Sequence, residues 1–100
     1  MNYFVYILFS EKLNQFYKGS TSDIQLRIQR HNAGLELHTS KGIPWRLVWS
    51  TEKETKSEAY RLALKLKNLS VNRMCLFILK YSEGASSPDE LLFIKQLSGC

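Results

Sequence analysis

The chain has 100 residues, a length that supports one hydrophobic core and not two independent ones. Its composition, 44% hydrophobic and 23% charged with few glycines and prolines, excludes disordered, collagen-like and repeat architectures. Fourteen Lys and Arg against nine Asp and Glu give a net charge of +5, which is compatible with a polyanionic partner such as nucleic acid.

Cysteine usage and the N-terminal sequence bear on the cellular compartment. Cys75 lies in an apolar run and Cys100 is the last residue, so the two form neither a disulfide framework nor a metal-ligand cluster. The apolar run from Val5 to Phe9 is far shorter than a membrane span, and no basic segment precedes it as in a signal peptide. We therefore expect a reduced, cytoplasmic protein with no membrane partner.

The first residues predict a β-hairpin followed by a helix. Tyr3 to Phe9 are mostly aromatic or β-branched, which predicts a strand buried on both faces. After polar turn residues, Gln15 to Lys18 predict a second, antiparallel strand that stops at Gly19. The segment Ser22-Asp23-Ile24-Gln25 has the spacing of a capping box, which predicts a helix over residues 23–32.

The predicted helix has an apolar and a basic side. Ile24 and Ile28 are four residues apart and are expected to face the core, whereas Arg27 and His31 share a different, polar stripe. Residues 33–44 lack a clean period and contain two glycines and one proline, so a loop is expected there.

The rest of the chain predicts one more strand and three helices. Trp45 and Trp49 alternate with polar residues, which is typical of a half-buried strand over residues 45–50, and both are expected in the core. The helices begin after a capping box at Thr55–Glu58, after Ser70, and after Ser87 with Pro88 at the first helical position. These elements predict an α/β (α+β) fold with one small sheet. Lys65 and Lys67, on the first of these helices, are expected to be solvated, and contact with a DNA backbone is the alternative.

None of the familiar spacings of dinucleotide-binding, P-loop, zinc-hydrolase or serine-hydrolase sites occurs in the sequence. What remains is a concentration of polar and aromatic residues in the first half of the chain. A tyrosine hydroxyl, an arginine fork and an imidazole together suit a bound phosphodiester, because arginine neutralises its charge and tyrosine or histidine moves a proton. The candidate site residues are Tyr6, Tyr17, Lys18, Gly19, Arg27, His31, Asn32, His38 and Arg46.

Two short motifs and the segment after them resemble a known family. The motifs are Val5-Tyr6-Ile7 and Tyr17-Lys18-Gly19, and the segment Asp23 to Asn32 follows. Together they resemble the GIY-YIG nuclease superfamily. The stretches from His38 to Val48 and from Ser57 to Ala59 further resemble small stand-alone bacterial GIY-YIG proteins related to the nuclease domain of excision-repair endonucleases. We assign residues 1–82 to this domain and residues 83–100 to a C-terminal helical extension packed on it.

The resemblance implies a three-stranded antiparallel sheet flanked by helices and a phosphodiesterase site that acts on DNA. In the family, the tyrosine matching Tyr6 or Tyr17 helps to activate the attacking water, and the arginine matching Arg27 contacts the phosphate. The histidine matching His31 takes part in proton transfer. Further substrate-binding residues are expected at Lys18, Gly19, Asn32, His38 and Arg46. One Mg²⁺ (or Mn²⁺), held by a glutamate, stabilises the charge that develops on the phosphate.

The expected metal-ligand position is an alanine in this chain. The family helix reads Glu-Ala-x-x-x-Glu and its second glutamate binds the metal, whereas this chain ends the same segment in Ala63. Glu58 is a poor substitute, because five residues of helix span about 500° of rotation and about 7.5 Å of rise. Three explanations stay open: a natural variant that binds without cutting, an inactivating substitution, or a carboxylate supplied by the fold or by a partner.

Three functions are therefore compared. The first is an endonuclease-like domain in which metal-dependent hydrolysis of DNA is impaired. The second is an inactive nucleic-acid-binding module that uses the same basic face. The third is a protein-interaction domain built on the C-terminal helix, whose apolar residues Leu91 to Leu97 pack on the domain or on a second copy in a homodimer.

Overall fold

The computed structural model describes residues 2–99, which form three strands and six helical segments. The strands are β1 (Tyr3–Ser10), β2 (Gln15–Thr21) and β3 (Trp45–Lys53). The α-helices are α1 (Ile24–Asn32), α2 (Lys56–Lys67), α3 (Val71–Lys80) and α4 (Pro88–Leu97). Two short 3₁₀-helices, Leu37–Gly42 and Ser82–Gly84, lie before β3 and after α3. Cys100, mentioned above for its position, lies outside the described residues.

The three strands form one antiparallel sheet in the order β2-β1-β3. The central strand β1 is buried from Val5 to Ser10, which confirms the prediction of a strand covered on both faces. The predicted end of β2 at Gly19 is wrong, because Gly19 pairs with Tyr6 and the strand continues to Thr21. Glycine is needed here for close approach: a Cβ at this position would lie 2.6 Å from the Tyr6 hydroxyl oxygen.

Strand β3 is longer than predicted and changes the face it presents. Its pairing with β1 shifts between Ile7 and Leu8, which leaves Val48 as the extra residue of a β-bulge. Trp45 and Trp49 are both buried, as predicted, but Trp45 packs with Tyr6 on one face and Trp49 packs on the other. The simple alternation of a half-buried strand therefore does not hold along β3.

Two apolar clusters cover the two faces of the sheet. The larger one joins β1 and β3 to α2, α3 and α4. The smaller one consists of Tyr6, Leu8 and Trp45, with Ile24 and Ile28 of α1 packed against it. The predicted core-facing side of α1 is thus confirmed, and α1 lies on one face of the sheet while the other three α-helices contribute to the core on the other.

The helix starts follow the predicted capping residues with one exception. Thr55, Ser70 and Ser87 each accept a hydrogen bond from the backbone N–H three residues later. At α1 the prediction is wrong by one residue, because Asp23 and not Ser22 is the N-cap and accepts from the Leu26 N–H at 3.1 Å.

The segment before β3 is a 3₁₀-helix, Leu37–Gly42, where a loop was expected. Two side-chain hydrogen bonds anchor it, from Trp45 nearby in the chain and from Ser10 far from it in the chain. The Trp45 indole N–H donates to the Thr39 carbonyl at 2.7 Å, and the Ser10 hydroxyl donates to the Gly42 carbonyl at 2.6 Å. These contacts satisfy backbone groups that no local sequence period reveals.

The C-terminal helix α4 packs against α3 and reaches the larger core. Ile94 is completely buried there, and the Phe93 ring lies 5.1 Å from the Phe9 ring. Within residues 2–99 no helix has both the length and the apolar character needed to cross a membrane.

Candidate functional site

A cleft of about 180 Å³ opens where β1, β2, α1 and α2 meet. Four of the predicted site residues, Tyr6, Tyr17, Gly19 and Arg27, lie together in its wall. The expected metal position, Ala63, lines the same cleft from α2. The remaining lining residues are Ser20, Tyr60, Leu64 and Lys67.

The register of the hairpin explains why the two tyrosines meet. Tyr6 pairs directly with Gly19, and Tyr17 lies two residues before Gly19 and therefore on the same face of β2. The two phenol rings are 6.3 Å apart between centroids. Helix α1 packs on this face through Ile24 and its neighbours, which brings Arg27 to the phenol of Tyr6.

His31 lies beneath the cleft, fully buried, behind the two tyrosines. Its Nε2 is 3.3 Å from the Tyr6 hydroxyl oxygen, and its Nδ1 is 2.9 Å from the Thr39 hydroxyl oxygen. The Thr39 hydroxyl also lies 3.2 Å from the Glu36 carbonyl, which only accepts. All three contacts are satisfied when Thr39 donates to Glu36, His31 Nδ1–H donates to Thr39, and Tyr6 donates to Nε2.

The protonation states agree with this assignment. Burial raises the pKa of Tyr6, and the nearby Tyr17 adds to the effect while Arg27 opposes it. Burial lowers the pKa of His31, and the charge of Arg27 lowers it further. The phenol therefore keeps its proton at neutral pH and the imidazole stays uncharged, so that Nε2 is free to accept the phenol proton.

Arg27 lines the cleft and has one acidic neighbour. Its Nη1 is 3.5 Å from a carboxylate oxygen of Glu36, which Arg30 also approaches at 3.5 Å. Its Nε is buried and has no hydrogen-bond partner within residues 2–99. A buried, unpartnered guanidinium N–H costs free energy unless a ligand accepts from it, and a phosphate oxygen is a suitable acceptor.

Two of the predicted substrate-binding residues have structural partners instead. Asn32 binds both backbone groups of Trp45, donating to its carbonyl at 3.0 Å and accepting from its N–H at 2.7 Å. Arg46 pairs with Glu11 at 2.7 Å and with Glu90 at 3.3 Å, and its guanidinium lies 4.2 Å from the centre of the Phe93 ring. Neither residue lines the cleft.

Lys18 and His38 do not line the cleft. Lys18 follows Tyr17 and points to the opposite face of β2, where it lines a second cleft with residues at the start of α3. Burial lowers the pKa of Lys18, and the charge of Lys67 lowers it further. His38 is exposed, and its ring centroid is 5.7 Å from that of Tyr17.

The donor set of the cleft does not fit the divalent metal that the resemblance implies. The residues that line it include no carboxylate, imidazole or thiol. Nor does any group of three or more such side chains that could hold a metal ion occur between residues 2 and 99. The Glu58 carboxylate lies at the start of α2, where it accepts a hydrogen bond from the Thr55 hydroxyl at 3.0 Å.

Thr39, Tyr60 and Lys67 are among the residues in or behind the cleft that the sequence-based selection missed. Thr39 is buried and binds His31, but only the 3₁₀-helix brings it there. Tyr60 and Lys67 line the cleft from α2, three residues before and four residues after Ala63. That helical spacing around the expected metal position is the signal that identifies them.

Comparison with known proteins agrees with this geometry. The family model described as the GIY-YIG catalytic domain matches residues 2–74. The chain belongs to the GIY-YIG family. This GIY-YIG domain is 38% identical over 71 residues to the UPF0213 protein BH0048 of Halalkalibacterium halodurans, a match that covers 70% of this chain and 74% of that protein.

A solved structure supports the predicted fold class. The solution NMR structure of the UPF0213 protein BH0048 from Bacillus halodurans matches this GIY-YIG domain with a TM-score of 0.50 and 33% sequence identity. The match covers 92% of this chain and 94% of the other. The three-stranded antiparallel sheet flanked by helices, and the small GIY-YIG type of protein, are therefore confirmed.

Proposed function

We propose that this GIY-YIG domain binds the phosphodiester backbone of DNA in the cleft, and that metal-dependent hydrolysis there is impaired. One observation carries the proposal: Arg27, whose buried Nε has no hydrogen-bond partner within residues 2–99, lines a cleft together with Tyr6 and Tyr17. An anionic diester oxygen supplies an acceptor for Arg27, and Glu36, which lies 3.5 Å from Arg27 Nη1, does not line the cleft.

The side chains around Arg27 are arranged for proton movement at a bound phosphate. The Tyr6 hydroxyl donates to His31 Nε2, so its oxygen can accept a hydrogen bond from Arg27 and one from a water molecule beside a bound phosphate. Tyr6 can accept a proton from that water while it passes its own to His31. Thr39 keeps the imidazole in the tautomer that this transfer requires.

Ala63 is the reason to expect slow hydrolysis. A methyl group at this position of the cleft offers no ligand to a metal, and metal-ion stabilisation of a phosphoryl transition state is worth several kcal/mol. A loss of about 4 kcal/mol lowers the rate about a thousandfold. DNA binding through Arg27 does not depend on stabilisation of the transition state by a metal ion.

The test compares this chain with its Ala63→Glu variant in binding and cleavage assays on single-stranded, duplex and branched DNA with Mg²⁺ or Mn²⁺. We expect both proteins to bind DNA at about 50 mM salt. We expect Arg27→Ala to weaken binding about tenfold, because a charge-assisted contact to phosphate is lost. Arg30→Ala is the matched control, since Arg30 shares the Glu36 partner but does not line the cleft.

Cleavage separates two forms of the proposal. The hydrogen bonds that join Tyr6, His31 and Thr39 favour an endonuclease that lacks only its metal ligand. This form of the proposal predicts that the Ala63→Glu variant cuts DNA and that the unmodified protein does not. If both proteins bind and neither cuts, the domain is a binding module and the proton-transfer roles are withdrawn. Absence of DNA binding by either protein at about 50 mM salt contradicts the proposal as a whole.

A further inference from the structure

The cleft carries positive charge from two different helices. Arg27 approaches it from α1, and Lys67 lines it from the last turn of α2, four residues after Ala63 and on the same side of that helix. Where the resemblance implies a glutamate and a divalent cation, this chain has a methyl group and, one helical turn further, an ammonium group. An ammonium so placed adds repulsion to the lack of ligands for a metal ion.

The charge on Lys67 is uncompensated. No carboxylate lies within ion-pair distance of it anywhere in the chain from residue 2 to residue 99. The charge of Lys67 acts on another cation, because it contributes to the lowered pKa of Lys18 after burial, the larger cause. Of the two cleft cations only Arg27 has an acidic neighbour, Glu36 at 3.5 Å, so an anion that binds between Arg27 and Lys67 neutralises charge that the fold leaves unpaired.

Cleft size limits what that anion is. At about 180 Å³ the cleft is smaller than the roughly 300–1,000 Å³ of sites that enclose drug-sized ligands. It has room for one phosphodiester group and not for a whole nucleotide. The rest of a DNA strand has to lie along the surface outside.

We propose that Lys67 and Arg27 bind the non-bridging oxygens of one DNA backbone phosphate from opposite sides, and that no divalent metal takes part in this binding. The inference rests on the proposed function and adds to it a second phosphate ligand. The guanidinium of arginine is planar and directional, whereas the ammonium of lysine lies at the end of a flexible side chain. We therefore expect Arg27 to set the position of the phosphate and Lys67 to neutralise more of its negative charge.

The experiment measures the affinity of the full chain for a fluorescently labelled DNA duplex by anisotropy, over about 50 to 200 mM salt. Lys67→Ala is compared with Lys65→Ala, its matched control on the same helix, which lies at a different cleft beside Trp49. Lys67→Ala is expected to lower affinity about fivefold and to reduce the salt slope by about one. Lys65→Ala is expected to change neither quantity, and Lys67→Arg to retain most of the affinity.

Metal independence is measured in the same assay. Affinity in EDTA is expected to equal or exceed affinity with Mg²⁺ at matched ionic strength, whereas an affinity that is lost in EDTA overturns the inference.

Equal effects of Lys67→Ala and Lys65→Ala on DNA affinity also overturn the inference while leaving the proposed function intact, provided that Arg27→Ala still weakens binding. If the unmodified chain fails to bind DNA at about 50 mM salt, the proposed function itself is wrong. Lys67 is exposed, and unchanged urea unfolding of Lys67→Ala establishes that lost affinity is not lost folding.

Discussion

The pair Tyr6 and His31 has its protonation fixed by burial and by one outside hydrogen bond. Both side chains are removed from water, which disfavours the phenolate and the imidazolium alike. Thr39 then selects between the two neutral imidazole tautomers, because its own proton is used by the Glu36 carbonyl. The same three contacts hold α1 against the 3₁₀-helix Leu37–Gly42, so protonation of His31 affects folding as well as chemistry.

His31 is therefore expected to make folding stability depend on pH. In the unfolded chain it protonates near its usual pKa of 6.5, and in the folded protein its pKa is lower. The unfolded state then binds more protons below pH 6.5, so the contribution is fully present above that pH and is lost as pH falls.

Urea unfolding as a function of pH checks this. We expect the free energy of unfolding of the unmodified chain to decrease below pH 6.5, and His31→Gln to reduce that decrease even if it lowers stability overall. Gln29→Ala, an exposed substitution on α1 that removes no titratable group, is expected to leave the pH dependence unchanged. If the free energy of unfolding of His31→Gln falls with pH as steeply as that of the unmodified protein, another group is responsible for the pH dependence.

Among the elements, the junction of α1 and β3 depends on one side chain. Asn32 is the last residue of α1, and its amide forms both a donor and an acceptor contact with the backbone of Trp45, as a neighbouring strand would. The contact fixes the end of the helix that carries Arg27 and His31. It therefore gives a structural reason for the residue that the sequence placed among the phosphate ligands.

Removal of that contact is expected to destabilise the fold without removing a charge from the cleft. Asn32→Ala leaves a backbone N–H and a carbonyl of Trp45 without partners, at a cost of about 1–3 kcal/mol in the free energy of unfolding. Asn32→Asp retains only the acceptor for the Trp45 N–H, so its free energy of unfolding should lie between those of Asn32→Ala and the unmodified protein. Urea unfolding measures this, with the exposed Gln29→Ala as control within about 0.5 kcal/mol. Equal stability of Asn32→Ala and Gln29→Ala contradicts the structural role.

Sequence reasoning succeeded where local spacing determines geometry. The hairpin motifs locate Tyr6, Tyr17 and Gly19, and one helical turn locates Arg27, because each depends only on neighbours in the chain. It did not locate Thr39, whose role comes from a 3₁₀-helix anchored by residues outside it.

Long-range packing accounts for the other differences. The alternating pattern of a half-buried strand predicts one face for both tryptophans of β3, because such a pattern does not reveal a bulge. Arg46 is misplaced among the phosphate ligands because its two ion pairs depend on long-range contacts: Glu11 follows β1, which pairs with β3, and Glu90 belongs to α4. Burial raises the pKa of Glu90, and the charge of Arg46 opposes that effect.

At the scale of the whole molecule, one core includes residues beyond the region that matches the family. That match ends at residue 74, within α3, yet Ile94 of α4 is buried in the same cluster as Val5 and Ile7 of β1. Phe93 extends the contact through Phe9 and Arg46. Residues 88–97 are therefore positioned to stabilise the sheet that carries Tyr6, although they lie far from the cleft.

This arrangement predicts that α4 and the sheet unfold in one transition. Ile94→Ala removes a completely buried side chain and should lower the free energy of unfolding by about 2–5 kcal/mol. Leu92→Ala, in the same helix but 57% exposed, should cost about 0.5 kcal/mol or less. Far-UV circular dichroism and tryptophan fluorescence report on the helices and on Trp45 and Trp49 of the sheet, and their urea transitions should coincide in both variants. A variant of Ile94 that loses helix signal at low urea while its tryptophan transition stays unchanged would show instead that α4 folds as a separate appendage.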